Sequence, residues 1–205
     1  MMAYRTIDPF YPVVPDAAWV ARLVQAGARF VQLRFKSEDQ AAIAREIVAA
    51  LAACAAAGAE LVVNDHWQAA IEARAPYVHL GQDDLNTADL SALRRHGIRF
   101  GVSTHDHFEL ERGLSTDPDY VALGPIYPTT LKVMPWGPQG LDRIGEWKRL
   151  VGSRPLVAIG GLTLDRVPGC LAAGADSVAV VSDIVADADP EARTRAWLLA
   201  TQRGA

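Results

Sequence analysis

The stretch ELVVNDHWQAAIEARAPYVHLGQDDL, residues 60–85, puts acidic groups twice into the same structural situation. Leu61, Val62 and Val63 form an apolar run that stops at Asn64-Asp65, and Tyr77–Leu80 form a second that stops at Gly81-Gln82-Asp83-Asp84. Short apolar runs bounded by polar residues and Gly read as buried strands. Between them, residues 66–74 are helix formers with room for about two turns. The unit is strand, helix, strand, which predicts parallel strands joined by a right-handed crossover. Both acidic groups then lie at the C-terminal edge of the sheet. Neighbouring strands run about 4.8 Å apart, so Asp65 and one of Asp83 or Asp84 are close enough to share a cation. Mg²⁺ suits such a site, because it uses one or two carboxylates and completes its shell with water and substrate phosphates.

The same alternation runs along the whole chain. Phe10–Val14 is a first strand candidate, followed by a helix over Ala17–Gln25 that Asp16 can cap and Gly27 ends. Residues 29–35 (RFVQLRF) form the second strand, and a long helix from about Glu38, with Ser37 as its cap, runs to Gly58. After the two strands of the opening stretch come a helix over residues 87–96, a strand over 98–102, a helix over 105–114 and a strand at Tyr120–Leu123. The longest loop, residues 125–140 (PIYPTTLKVMPWGPQG), precedes a helix over 142–150. Leu156–Ile159 is the seventh strand, broken by Gly160-Gly161, with Thr163 able to cap a helix over 164–173; residues 177–181 are the eighth, and Pro190–Thr201 is a closing helix. Eight strand and helix pairs, one per roughly 25 residues, match a (β/α)₈ TIM barrel, an α/β fold, better than an open doubly wound sheet, which usually uses fewer strands. With no linker or shift in composition, residues 1–205 read as one TIM-barrel domain.

Composition narrows the function. Half of the 205 residues are hydrophobic, 21% are charged, and the net charge is −4, an ordinary globular balance without the clustered basic excess of a nucleic-acid binder. Cys54 and Cys170 lie far apart in Ala-rich helical patterns, without metal-ligand spacing, and read as buried thiols of a reducing, cytoplasmic setting. The N-terminus lacks the basic and apolar regions of a secretory signal, and the Ala-rich helix at residues 41–57 reads as too short and too weakly apolar for a bilayer span. No membrane partner is expected. A homo-oligomer is left open.

In a barrel the active site forms at the C-terminal rim. The residues there are Gln32, Arg34 and Lys36 on the second strand, Asn64 and Asp65 on the third, Gln82, Asp83 and Asp84 on the fourth, and Ser103 and His105 on the fifth. Thr129, Thr130 and Lys132 follow the sixth, Gly160 and Gly161 the seventh, and Ser182 the eighth. Cations, carboxylates, and Gly or Ser at the last two strands form an inventory for phosphates with a metal, since barrels commonly hold phosphate on backbone N–H groups after strands seven and eight. Plainer readings stand beside this one. Arg34 and Lys36 alternate with Leu33 and Phe35 as the polar side of a strand would; Asp65 and Asp84 are each placed to cap a helix; Gly160-Gly161 suits a simple turn. His66, His79, His96 and His107 read as surface or core residues, whereas His105 lies just past a strand end. Trp19, Trp67, Trp147 and Trp197 fall in helical patterns that pack on the barrel, and Trp136 sits in the long loop as part of a lid.

Seven segments, VQLRFK (31–36), VVND (62–65), VHLGQDDL (78–85), GVST (101–104), DYVALGPIYPTTLK (119–132), AIGGLT (158–163) and AVVSDI (179–184), occur in register and together resemble the thiamine phosphate synthase family. The resemblance implies a transferase that joins hydroxymethylpyrimidine diphosphate to hydroxyethyl-methylthiazole phosphate, giving thiamine phosphate and pyrophosphate, with Mg²⁺. It implies that Gln32, Arg34, Lys36, Asn64 and Ser103 hold the pyrimidine diphosphate, that Asp65 and Asp84 bind Mg²⁺, that Thr129, Thr130 and Lys132 approach the phosphates, and that Gly161, Val181 and Ser182 hold the thiazole phosphate. Arg34, Lys36, Ser103 and Lys132 would be the catalytic set. The implied mechanism is dissociative, pyrophosphate leaving before the thiazole nitrogen attacks. One departure stands out: the family's loop reads T-x-T-K, and this chain has Thr129-Thr130-Leu131-Lys132.

Two other readings share the fold. A thiazole tautomerase resembles the synthase, tends to lose the metal carboxylates, and would use a His at the position of His105, whose imidazole suits proton transfer near neutral pH. A ligand-binding barrel without catalysis would tolerate loss of Lys36, Asn64 or Asp84. This sequence keeps all of these residues, which favours the synthase.

Overall fold

The eight strands pair in chain order, all parallel, and β8 returns to β1 to close the sheet. In the computed structural model, which describes residues 4–129 and 136–202, they are β1 (Phe10–Val14), β2 (Phe30–Leu33), β3 (Glu60–Asn64), β4 (Tyr77–Leu80), β5 (Arg99–Thr104), β6 (Tyr120–Leu123), β7 (Leu156–Ile159) and β8 (Ser177–Val180). The helices are α1 (Ala17–Gln25), α2 (Gln40–Ala57), α3 (Trp67–Ala73), α4 (Leu90–Arg95), α5 (His107–Ser115), α6 (Gly140–Val151), α7 (Val167–Ala172), α8 (Ser182–Val185) and α9 (Pro190–Thr201). Closure rests on the pairs Phe10↔Val178, Tyr11↔Ala179 and Pro12↔Val180. The expected TIM barrel is present, and its strand ends share one rim.

The strand side chains alternate between two cores. Outward residues such as Val31, Leu61, Val63, Val78, Leu80, Val102 and Leu123 are buried against the helices. Inward residues fill the barrel: Tyr11, Val13, Phe30, Val62, Tyr77, Tyr120, Ala122, Val157 and Ala179. Barrel interiors usually stack branched aliphatics, whereas this one is filled largely by rings. Phe30 lies 4.7 Å from Tyr11, and edge-on to Tyr77 at 5.0 Å and to Tyr120 at 6.2 Å. Such tilted and edge-on pairs each contribute about 0.5–1.5 kcal/mol beyond area burial.

Several local readings change. The cap of α2 is Asp39, whose carboxylate accepts from the Ala41 and Ala42 N–H groups; the Ser37 hydroxyl accepts from Asp39 N instead. The helix expected over 87–96 begins at Leu90 with Asp89 as cap, after a one-turn 3₁₀ helix at Asp84–Asn86. Thr163 caps no helix through its side chain, its hydroxyl donating to Asp165 at 2.6 Å. The α2 helix is 18 residues long with a mean hydropathy of 1.4, so by length and composition it does reach the level of a bilayer span, contrary to expectation. Ile43, Ile47, Ala50 and Cys54 on one face are nevertheless buried in the core. Trp147 and Trp197 are fully buried, and Trp19 and Trp67 are partly buried against the same core.

Filling a narrow barrel with rings requires an empty position opposite. Gly101 of β5 supplies it: a Cβ there would lie 2.0 Å from Cζ of Tyr120. Gly101→Ala is expected to lower the unfolding free energy by about 2 kcal/mol or more, as overpacking does, read by urea denaturation; unchanged stability would mean that the Tyr120 ring has room to shift.

Candidate active site

The rim opens into a cavity of about 940 Å³ lined from seven strand ends, β2 to β8, together with Tyr11 and Val13 of β1. Of the residues expected there, Gln32, Arg34, Lys36, Asn64, Asp65, Asp84, Ser103, Thr129, Gly161, Val181 and Ser182 all line it. Gln82, Asp83, His105 and Gly160 join them. Thr130, Leu131 and Lys132 fall outside the described residues, so the geometry says nothing of the loop's altered threonine.

On one wall, the β3 and β4 ends meet the segment after β2. Asp65 turns the chain sharply at φ 61°, a left-handed conformation that Asp tolerates better than most residues. Its carboxylate forms an ion pair with Lys36, and its N–H donates to the His79 carbonyl at 3.0 Å. Asp65 and Asp84 lie close enough for each to shift the titration of the other. Burial opposes the charge of Asp65, but the Lys36 hydrogen bond and charge outweigh it and hold that carboxyl below the usual range. Burial, and then the charge of Asp65, push Asp84 up, against the 2.9 Å bond it accepts from Gly81 N. Neither residue acts as a helix cap. The N-cap of α3 is His66, without a side-chain bond, and the cap of α4 is Asp89.

The adjoining wall is braced from behind. Gln82 donates to the Ser103 carbonyl at 2.8 Å, and Arg112 donates to the Gln82 carbonyl at 2.9 Å. His105 meets Glu109 at 2.6 Å and stacks on Trp136 with centroids 4.1 Å apart. Trp136 thus lines the cavity. Opposite, Gly161 takes a φ of 66°, and a Cβ there would sit 2.5 Å from the Pro128 carbonyl, so only glycine fits where this turn packs under the Tyr127–Pro128 backbone, and Gly161 lines the cavity together with Val181 and Ser182. Arg166 donates to the Gly161 carbonyl and lies 4.4 Å over the Tyr127 ring. Asp183 is clamped by Arg193 at 2.9 and 2.7 Å and by Trp197 Nε1 at 2.7 Å, which fixes the start of α8.

The sequence reading missed the floor. His79, taken as a surface or core residue, is buried yet lines the cavity. Its Nε2 lies 2.8 Å from Ser103 Oγ and its Nδ1 2.9 Å from the Tyr120 hydroxyl. Tyr120 bonds Tyr11 at 2.8 Å, and Gln32 Nε2 donates to Tyr11 at 2.6 Å. Burial drives the His79 pKa down to about 4 and those of both tyrosines up. The signal was available in the period of β4: Val78 and Leu80 face the helices, so Tyr77 and His79 must face the interior. Arg166 and Glu109, one turn beyond strand ends, carried no such mark.

A family model described as thiamine monophosphate synthase matches residues 10–184. The chain is 55% identical over 195 residues to a thiamine-phosphate synthase from Rhizobium etli, covering 95% of this chain and 96% of that one. It is 49% identical over 188 residues to one from Neisseria meningitidis serogroup A, covering 92% of each. Its fold resembles that of a thiamine phosphate pyrophosphorylase from Pyrococcus furiosus, with a TM-score of 0.82 at 23% identity over 94% of this chain and 95% of the other.

The buried imidazole makes stability depend on pH. His79 titrates near 6.5 unfolded and at about 4 folded, so the unfolded chain binds more protons between those values. Stability contributed by His79 is therefore complete above pH 6.5 and declines as the pH falls toward 4, by about 3 kcal/mol in all. Urea unfolding at pH 7 and pH 4.5 should show a smaller acid loss in His79→Gln than in the parent; equal losses would mean that His79 titrates normally in the fold.

Proposed function

The chain belongs to the thiamine monophosphate synthase family and is a transferase of thiamine biosynthesis, and we propose that its cavity joins hydroxymethylpyrimidine diphosphate to hydroxyethyl-methylthiazole phosphate with Mg²⁺ between Asp65 and Asp84. One observation carries the reading. The Lys36, Asp65 and Asp84 cluster stands on one wall of a single cavity, with Gly161, Val181 and Ser182 on another. An anionic leaving group and a phosphorylated acceptor fit between them.

The donor set suits the ion. Asp65 is held below the usual carboxylate range and Asp84 is pushed above it, first by burial and then by the charge of Asp65, and a divalent cation between them would relieve that repulsion. Among the described residues no group of three or more His, Cys, Asp or Glu gathers as for a protein-caged metal, and two carboxylates are what Mg²⁺ commonly uses beside phosphates. When bound, the ion neutralises charge that builds on the leaving pyrophosphate.

The protein groups supply the remaining charge and the orientation. Breaking the bond from the pyrimidine methylene to oxygen sends its electron pair to pyrophosphate, and the thiazole nitrogen lone pair then forms the new C–N bond. No protein nucleophile takes part. Arg34 and Lys36 face the departing negative charge, joined by Lys132 on the strength of its motif, and fixed cations in a partly dry cleft are the strongest kind of assistance such a step can receive. Gln32, Asn64 and Ser103 orient the pyrimidine diphosphate, while the Gly161, Val181 and Ser182 wall receives the thiazole phosphate. The retained carboxyl pair supports transfer over a tautomerase built on His105 or a binding-only barrel. Cys54 and Cys170 are free, their thiols pushed by burial to about 12 and about 11, in keeping with a reducing cytoplasm.

Pyrophosphate release is the direct assay. The purified protein is expected to release it only with both substrates and Mg²⁺, and Asp65→Asn or Asp84→Asn should cut the rate by about 100-fold or more at unchanged melting temperature. Full activity in either variant would remove the metal assignment. Leu131→Thr, which restores the family's loop, should keep or raise the rate with thiazole phosphate; a tenfold loss would mean that this loop is organised differently.

A further inference from the structure

The polar chain beneath the cavity has a direction. Gln32 offers its amide nitrogen, a donor, to the Tyr11 hydroxyl, so Tyr11 accepts there and has a single hydrogen left to give. That hydrogen goes to Tyr120, 2.8 Å away. Tyr120, accepting from Tyr11, gives its own to His79 Nδ1. A neutral imidazole that accepts at Nδ1 carries its proton on Nε2, and Nε2 faces Ser103 Oγ at 2.8 Å. Ser103 therefore accepts from the ring, and its hydroxyl hydrogen is left for the cavity it lines. The opposite direction would aim the Tyr11 hydrogen at a donor nitrogen inside a buried core, where no water replaces the bond left unmade.

We infer that His79 is a positioning residue: the chain Gln32, Tyr11, Tyr120, His79 locks its ring as the Nε2–H tautomer and thereby makes Ser103 a hydrogen-bond donor to the pyrimidine diphosphate. This rests on the Ser103 contact proposed above. The polarity matters because the group that departs gains negative charge. A serine that donated to His79 would turn lone pairs toward those oxygens; a serine that accepts from His79 turns a hydrogen toward them. The same residue reaches the carboxyl pair by its backbone, since its carbonyl accepts from Asp65 N at 3.0 Å. His79 thus ties the donor on β5 and the carboxylate after β3 to one rigid point on β4.

The test has a kinetic arm and a spectroscopic arm. In the Mg²⁺-dependent synthase assay, His79→Leu and Tyr120→Phe should each lower kcat by about tenfold, with KM for thiazole phosphate nearly unchanged. In a Ser103→Ala background the same substitutions should cost less than about twofold more, because the group they act through is gone. His79→Gln, whose amide nitrogen can still donate to Ser103, should recover most of the rate. Losses that add fully in the double variants, or His79→Gln no better than His79→Leu, would overturn the proposal. Nitrogen NMR of the His79 ring in the unmodified protein without substrate is expected to show a protonated Nε2 and a bare Nδ1. The reverse tautomer would overturn it too, whether or not the protein releases pyrophosphate, so failure of the inference and failure of the proposed reaction are told apart.

Discussion

A parallel sheet that closes on itself has no free edge and only one kind of rim, and most of this molecule follows from the hydrogen bonds between β8 and β1 that close it. Parallel pairing sends the C-terminal end of every strand to the same side and closure bends those ends into a ring, so groups scattered from Gln32 to Ser182 converge on one cavity. It also makes a narrow interior that must be filled. Here Tyr11, Phe30, Tyr77 and Tyr120 fill it; three of those rings carry hydroxyls, and those of Tyr11 and Tyr120 find their partners inside the barrel. The floor of the site is polar because the barrel is packed with tyrosines, and those hydroxyls are satisfied by Gln32 and His79.

Above that floor the charges are arranged in opposition. Lys36 holds Asp65 ionised, Asp65 in turn holds the Asp84 proton more tightly, and the left-handed turn at Asp65 brings the groups together. On the far wall, the Gly160-Gly161 turn packs against Pro125 and Pro128 where no side chain would fit, and Arg166 grips the Gly161 carbonyl. One wall carries the Lys36, Asp65 and Asp84 charges, the other the two glycines with Val181 and Ser182. In the reaction proposed above, each wall receives one of the two phosphorylated substrates, and the new bond forms between them.

How much of this was legible in the sequence follows the range of the signal. Strand positions declared themselves through apolar runs of four or five residues ended by Gly or polar groups, and β4, β6 and β7 fall where they were expected. Rim residues followed from strand ends alone, since in a barrel every end is on the site side. Helix starts were less legible: Ser37 and Asp39 both suit a cap, and which one bonds depends on the route of the chain out of β2. Asp65 and Asp84 were ambiguous as single residues, because a capping carboxylate and a cavity carboxylate look alike until the partner strand is in place. His79 was read only as a surface or core residue although its inward parity was readable, because a lone His among apolar neighbours carries no sign that Ser103 and Tyr120 wait on β5 and β6. Partners across the barrel depend on register, and no local pattern records it.

The close approach of Gly101 to Tyr120 has an evolutionary corollary. The ring occupies space that a side chain on β5 would claim, so the two positions form one volume shared between two strands. A larger residue at 101 is compatible only with a smaller one at 120, and a smaller one at 120 leaves a void unless 101 grows to meet it. Change at either site alone crosses an unfavourable intermediate, so the pair is expected to vary jointly or stay fixed. Reshaping the barrel floor to accept a different heterocycle therefore begins with a coordinated exchange at 101 and 120, made together with a new partner for His79.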